Sequence, residues 1–213
     1  MGANVVLVAN PKGGAGKSTL ATNLAGLLAV RGRECGTIQV MLGDVDRLQS
    51  SRHWLERRSA SAAPVSGWDW TPGNPARPPK GTTHIVLDTP AALHGDKLKE
   101  LLKLSSCVMV PVQPSVFDMQ ATEGFLAQLA EMKSARGLPV GLIGMRVDAR
   151  IRSAEQLQQF VERLGLSLLT CLRDTQNYVQ LANQGLSLFD VPASRVEKDL
   201  AQWEAIERWI FPF

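Results

Sequence analysis

Short, mostly continuous apolar runs alternate along the chain with longer stretches in which apolar residues recur every three or four positions. The runs at 5–9, 38–42, 85–87, 108–112, 140–145 and 166–170 read as strands covered on both faces, because a half-exposed strand would alternate apolar with polar residues. The periodic stretches read as helices. The clearest begins at Gly16-Lys17-Ser18, carries Leu20, Leu24, Leu27 and Leu28 on one side, and is expected to stop at Gly32. Others are expected over 48–58, 97–104, 119–136, 154–164, 176–184 and 196–209. Parallel strands need crossover connections, and helices between strands supply them, so the pattern predicts an α/β fold with a mostly parallel central sheet.

The pattern breaks once. Positions 59–83 are rich in Pro, Gly and Ala and contain Pro64, Pro72, Pro75, Pro78 and Pro79, which predicts an irregular excursion rather than a linker between domains. With 213 residues, the reading is one domain over 1–213. A composition of 45% hydrophobic and 20% charged residues excludes disorder as the default state.

Formal net charge is +3, which permits contact with nucleic acid without demanding it. Cys35, Cys107 and Cys171 are odd in number and lack a C-x-x-C spacing, so neither a disulfide framework nor a zinc or iron-sulfur site is expected. A reducing cytoplasm fits best. The first residues run into an apolar strand without a basic leader. No run approaches the roughly 20 apolar residues that a membrane span needs, so neither export nor stable membrane insertion is expected.

Candidate chemistry concentrates in Pro11-Lys12-Gly13-Gly14-Ala15-Gly16-Lys17-Ser18-Thr19, placed after an apolar run and before a helical one. Glycines let a backbone turn its N–H groups inward, a helix N-terminus adds its dipole, Lys17 can reach the β and γ phosphates of a nucleotide, and Ser18 offers a hydroxyl to magnesium. The general G-x-x-x-x-G-K-[ST] pattern would have glycine where Pro11 stands. The variant resembles the deviant Walker A box of the ParA/MinD family of P-loop ATPases, in which a second lysine precedes the glycines. The resemblance implies a three-layer α/β/α sandwich, ATP/ADP with Mg2+ as cofactors, and nucleotide contacts at Lys12, Gly13, Gly14, Ala15, Gly16, Lys17, Ser18 and Thr19. It makes Lys12 the residue that reaches the partner's nucleotide in a homodimer formed with ATP.

Two acidic stations follow apolar runs: Gly43-Asp44-Val45-Asp46-Arg47-Leu48-Gln49-Ser50-Ser51 and Asp88-Thr89-Pro90-Ala91. Each taken alone could be a helix cap or turn. The first is similar to the family's switch I, often Asp-x-Asp-Pro-Gln, with Arg47 in the proline's place. It makes Asp46 the residue that orients or deprotonates the attacking water. The second resembles the Walker B station, with Asp88, Ser18 and Asp46 grouped around the metal. Catalysis would then rest on Lys12, Lys17 and Asp46.

The resemblance continues through Val110-Pro111-Val112-Gln113-Pro114-Ser115, Asp118 and Gly144-Met145-Arg146-Val147-Asp148, and the region from Thr170 to Asp190 favours the small ParA-type partition and cargo-positioning ATPases, ParF-like or McdA-like. Arg146 and Asp148 are either contacts to the base or a solvated strand end. One departure is Arg33-Glu34-Cys35-Gly36-Thr37, expected as a lengthened surface loop away from the phosphate end.

Family members of the ParA type bind DNA without sequence preference, and those of the MinD type bind membrane through a C-terminal amphipathic helix. In 196–213 the positions Leu200, Trp203, Ile206, Trp209 and Ile210 recur at helical spacing, but the accompanying charges lean acidic, which favours a core face over a lipid face. The end Phe211-Pro212-Phe213 has no assigned role. From 146 onward there are 8 Lys and Arg against 9 Asp and Glu, so a DNA surface would have to be assembled in space. Arg150, Arg152, Arg173 and Arg195 are its candidates, with Arg52, Arg57 and Arg58 a second basic group; a solvated face is the alternative for all of them.

The implied protein is a partner-stimulated ATPase, cytoplasmic and nucleoid-associated, working with a ParB-like or McdB-like adaptor to position a plasmid, a chromosome or a protein assembly such as a carboxysome. Rival readings are a MinD-like membrane-associated ATPase, a small-molecule kinase or ligase on the same loop, an iron-sulfur ATPase, and a non-hydrolysing scaffold. The kinase reading lacks distinctive acceptor-pocket residues, and Cys107 sits inside an apolar run that suits a core better than a cluster.

Overall fold

The computed structural model describes residues 2–71, 74–75, 77–148, 150 and 152–211. Its strands are β1 (Asn4–Val8), β2 (Val40–Asp44), β3 (Ser66–Trp68), β4 (Trp70–Thr71), β5 (Asn74–Pro75), β6 (His84–Asp88), β7 (Cys107–Val112), β8 (Val140–Met145) and β9 (Leu168–Leu172). Its helices are α1 (Lys17–Cys35), α2 (Ser50–Glu56), α3 (Gly95–Leu104), α4 (Val116–Glu131), α5 (Arg152–Arg163), α6 (Gln176–Ala182) and α7 (Ala193–Ile210). Seven strands form one sheet in the order β3-β2-β6-β1-β7-β8-β9. Every pairing in that sheet is parallel, where the sequence suggested only a mostly parallel arrangement.

Alternate residues of each strand feed two separate cores, which is why the runs read as continuous. Val6, Val8, Leu42 and Val86 pack with Leu20, Leu24 and Leu28 of α1, Trp54 of α2 and Trp203 and Ile206 of α7. Val5, Leu7, Ile85, Leu87 and Val108 pack on the other face with Leu98 and Leu101 of α3, Phe125 and Leu129 of α4 and Leu157 and Phe160 of α5. The outcome is the expected three layers. A fully buried side chain of this kind contributes about 1.5–3 kcal/mol of transfer free energy.

All six expected strands form, with shifted ends. β2 starts at Val40 and runs on to Asp44, and β9 starts at Leu168 and ends at Leu172. Helix α1 does not stop at Gly32. It continues to Cys35 and is capped by Gly36, which takes the left-handed conformation (φ 70°) while its N–H donates to the Gly32 carbonyl at 2.8 Å. Gly32 serves packing instead: a Cβ there would lie 2.3 Å from the carbonyl oxygen of Ile38, where the returning chain crosses the helix. The segment 33–37 is therefore the last helical turn with its cap, not a lengthened loop. It still lies at the edge of the sheet opposite the carboxyl ends.

The segment 59–83 is not wholly irregular. Ser66–Trp68 adds the edge strand β3 in parallel register on β2, pairing Met41 with Ser66 and Gly43 with Trp68, and β4 and β5 pair antiparallel beside it. Trp68 and Trp70 are buried in the second core. Pro72 falls outside the described residues.

Helix α7 takes the core reading: Val196, Trp203, Ile206 and Ile210 are buried, with Leu200 and Trp209 partly buried against the same cluster. Trp203 Nε1 donates to the Tyr178 hydroxyl at 3.0 Å. The Phe211 ring meets His84 edge-on, with centroids 5.7 Å apart; Pro212 and Phe213 lie outside the described residues. Cys107 is buried in β7. Among the described residues no helix is long and apolar enough to cross a membrane.

Candidate nucleotide site

Because the strands are parallel, Val8, Asp44, Asp88, Val112 and Met145 all end at one edge, and the segments that follow them are brought together there. The loop 10–16 joins β1 to α1. Asn10, buried beneath it, donates from Nδ2 to the Pro111 carbonyl (2.8 Å) and to Thr122 Oγ1 (2.9 Å), and its Oδ1 accepts the Lys12 N–H at 2.8 Å. Gln113 Nε2 donates to the Gly14 carbonyl at 2.6 Å. β7 and α4 thus clamp the loop from the side, and Gly13 and Gly14 are left exposed.

Gly16 precedes α1 at φ 97°, a conformation that L side chains rarely adopt, and a Cβ there would come within 2.7 Å of Met145 Cε. No side chain caps α1, so the free N–H groups of its first turn remain available to an anion. Lys17 is buried and bonds from Nζ to the Lys12 carbonyl at 2.8 Å, which curls its ammonium back over the loop. Burial lowers the Lys17 pKa, opposed by the negative charges of Asp88 and Asp46.

Asp88, at the end of β6, is 1% exposed. Burial pushes its carboxyl up to about 6, against hydrogen bonds from Ser18 and Ser51 and the charge of Lys17. The Ser51 hydroxyl donates to Asp88 Oδ2 at 2.7 Å. Asp44, at the end of β2, braces the next loop: its Oδ1 accepts the Asp46 N–H (3.0 Å) and its Oδ2 accepts the N–H groups of Ser51 (2.8 Å) and Arg52 (3.1 Å). Asp46 is half-buried, within electrostatic reach of Lys17, and accepts the Leu48 N–H at 3.1 Å. Arg47 is exposed.

The donor set suits magnesium, a hard cation usually held by one or two protein oxygens together with phosphates. Ser18 and Asp88 supply such oxygens beside a helix N-terminus. Among the described residues no group of three or more His, Cys, Asp or Glu could hold a metal ion.

A buried lysine, a hydroxyl and a raised carboxylate around a glycine loop form a phosphate site in outline, and residues 6–188 match the model of the CobQ/CobB/MinD/ParA nucleotide binding domain. The chain belongs to this family. It is similar to two proteins named maintenance of carboxysome distribution protein A. That of Halothiobacillus neapolitanus is 29% identical over 195 residues, 87% of each chain, and that of Gloeobacter kilaueensis is 30% identical over 192 residues, 86% of this chain and 83% of the relative. Among solved structures, a Borrelia burgdorferi B31 protein assigned to plasmid partition, bound to AMPPNP, superposes with a TM-score of 0.70. It is 17% identical, covers 97% of this chain and 99% of its own, and at that identity shows the shared fold alone.

Within this CobQ/CobB/MinD/ParA domain the remaining candidates separate. Arg146 and Asp148 follow β8 at the same edge as the loop. Arg146 is exposed with a positive φ of 53°, and Asp148 is held to about 2 by hydrogen bonds from Arg150. That pairing is bidentate, at 2.9 and 2.8 Å, so Asp148 and Arg150 already answer each other. Arg173 is likewise committed, to the fully buried Asp199, which also accepts from Asn177. Arg152 and Arg195 are exposed and form no ion pair among the described residues.

Arg58 is no part of a basic surface. Its side chain is 6% exposed, stacks on Trp54, pairs with Asp190 at 2.8 Å and spends its other donors on the carbonyls of Ala63 and Gly185. Four residues of the site carried no role in the sequence reading: Asn10, Asp44, Ser51 and Gln113. Asn10 had a signal, since a turn-forming polar residue follows an apolar run directly. Ser51 had none, because its partner lies 37 positions away.

Proposed function

We propose that this chain is a magnesium-dependent ATP hydrolase that works as a switch, dimerising with ATP, contacting DNA without sequence preference and positioning a cargo through an adaptor protein. The observation that carries the reading is the pair of lysines on one glycine loop. Lys17 is buried and turned onto the carbonyl of Lys12, whose own side chain is half-buried beside the exposed Gly13 and Gly14. Lys17 would bind the β and γ phosphates of its own nucleotide, and Lys12 is left to reach a second one.

The free amides of α1 and the Lys17 ammonium would stabilise charge on the transferring phosphoryl group, which is most of what such catalysis asks of a protein. Magnesium, held by Ser18 with Asp88 behind it, would supply charge neutralisation at the β and γ oxygens. Asp46 stands within reach of the same charges and would orient the attacking water or take its proton. ATP would favour the dimer because only the dimer gains the Lys12 contact, and hydrolysis would remove it.

The two relatives concerned with carboxysome distribution, matched over most of the chain, favour a protein assembly as the cargo, with plasmid partition the second choice. For DNA, Arg152 and Arg195 are the candidates that form no ion pair among the described residues. The test is ATP-dependent dimerisation followed by light scattering. Wild type should dimerise with ATP and magnesium, and Lys12→Ala should bind ATP yet stay monomeric. A Lys12→Ala protein that dimerises normally would rule out the trans contact.

A further inference from the structure

We infer that Ser51 is a positioning residue for hydrolysis, its hydroxyl tying the loop that carries Asp46 to the Asp88 carboxylate. The inference rests on the ATPase reading above and deepens it. Loop 44–52 is a closed ring: the Asp44 carboxylate takes the N–H groups of Asp46, Ser51 and Arg52, and Lys97 Nζ donates to the Val45 carbonyl at 3.2 Å. Two bonds join the ring to Asp88. One is backbone, from Val45 N to the Asp88 carbonyl at 2.9 Å. The other runs from Ser51 Oγ to Asp88 Oδ2 and touches the carboxylate itself.

Ser18, at the head of α1, lies near enough to the same carboxylate to favour its charged form. A chain of contacts therefore runs from the phosphate loop through Asp88 to Ser51 and on, by way of Asp44, to the backbone of Asp46. Ser51 is 0% exposed, and a hydroxyl in such a place costs free energy unless bonded, so its bond to Asp88 is a specific one. Just before α2, Gln49 sits at φ 49°, an unfavourable conformation for a residue with a side chain, which fits a loop held under constraint from both sides. Without the Ser51 bond, the loop that carries Asp46 keeps only its backbone tie to Asp88, through Val45, and loses its tie to the carboxylate.

The test compares Ser51→Ala, Ser51→Cys and Ser51→Thr in the full chain, measuring the ATP dissociation constant, the rate of phosphate release at saturating ATP, and the thermal midpoint. Cysteine keeps the volume with a weak donor, and threonine keeps the hydroxyl. We expect the hydrolysis rate of the Ala and Cys variants to fall about tenfold, with ATP affinity within about twofold of wild type and a cooperative melt, and the Thr variant to recover most of the rate. A Cys variant at the wild-type rate, or affinity lost in step with rate, would overturn the inference in favour of a packing role. Wild type that hydrolyses no ATP would overturn the ATPase reading, and this inference with it.

Discussion

An ionised carboxylate with 1% of its surface exposed is costly unless its partners compensate, and at Asp88 they do so only in part, since its carboxyl is raised to about 6 from an ordinary value of 3.8. With the folded value above the unfolded one, the native state binds the proton more tightly between about 4 and 6. The contribution of Asp88 to stability is therefore greatest at acid pH and is lost as pH rises through about 6. Asp88→Asn should stabilise the metal-free protein at pH 8, by on the order of 3 kcal/mol, and by about half as much at pH 5. Thermal melts of both proteins at the two pH values would show it, and an equal gain at both would count against the assignment. Arg58 presents the opposite case, a buried cation with every donor used. Removing it leaves Asp190 charged with 1% of its side chain exposed, so Arg58→Ala should cost about 3–5 kcal/mol in urea unfolding, well beyond the effect of Arg57→Ala.

At the scale of elements, Gly32 separates propensity from packing. Alanine is favoured over glycine by about 1 kcal/mol inside a helix. A methyl group at 32 would nevertheless sit 2.3 Å from the Ile38 carbonyl oxygen, and overpacking of that kind costs about 1–3 kcal/mol. Gly32→Ala should therefore lower the unfolding free energy, and a stabilised variant would show that the crossing is looser than described. The same residue shows what the sequence makes legible. Five buried strands and the helices between them follow from local runs, because a strand covered on both faces must be apolar throughout; the sixth, β9, is a sheet edge and only partly buried, not covered on both faces as its run suggested. Where α1 ends does not follow, since a glycine that caps and a glycine that admits a crossing chain look alike until the chain is folded. The edge strand β3 was hidden for a related reason: Ser66 and Gly67 carry no apolar signal, and only pairing with β2 makes them a strand. Of the candidate site, the glycine loop with Lys17 and Ser18 stood out in the sequence as one local motif, and Asp88 as the polar end of an apolar run. Asp44 and Ser51 were not, because their role arises from a ring closed by hydrogen bonds.

For the whole molecule, a single carboxyl edge gathers the phosphate loop and both acidic stations, while the arginines proposed for DNA divide into those that are ion-paired and those that form no ion pair among the described residues. Arg150 and Arg173 are committed to Asp148 and Asp199. On the proposed DNA contact, Arg152→Ala and Arg195→Ala should each weaken DNA binding across unrelated sequences and lower the salt dependence by about one unit of slope, whereas Arg173→Ala should chiefly destabilise the fold. Binding curves over a salt series distinguish these outcomes. All of this presupposes that the loop grips ATP. Calorimetric titration of ATP with magnesium into wild type and Lys17→Ala is the direct measurement: a single saturable site in wild type that is lost in the variant is the predicted result, and no heat of binding in folded wild type, or the same isotherm in both, would contradict it.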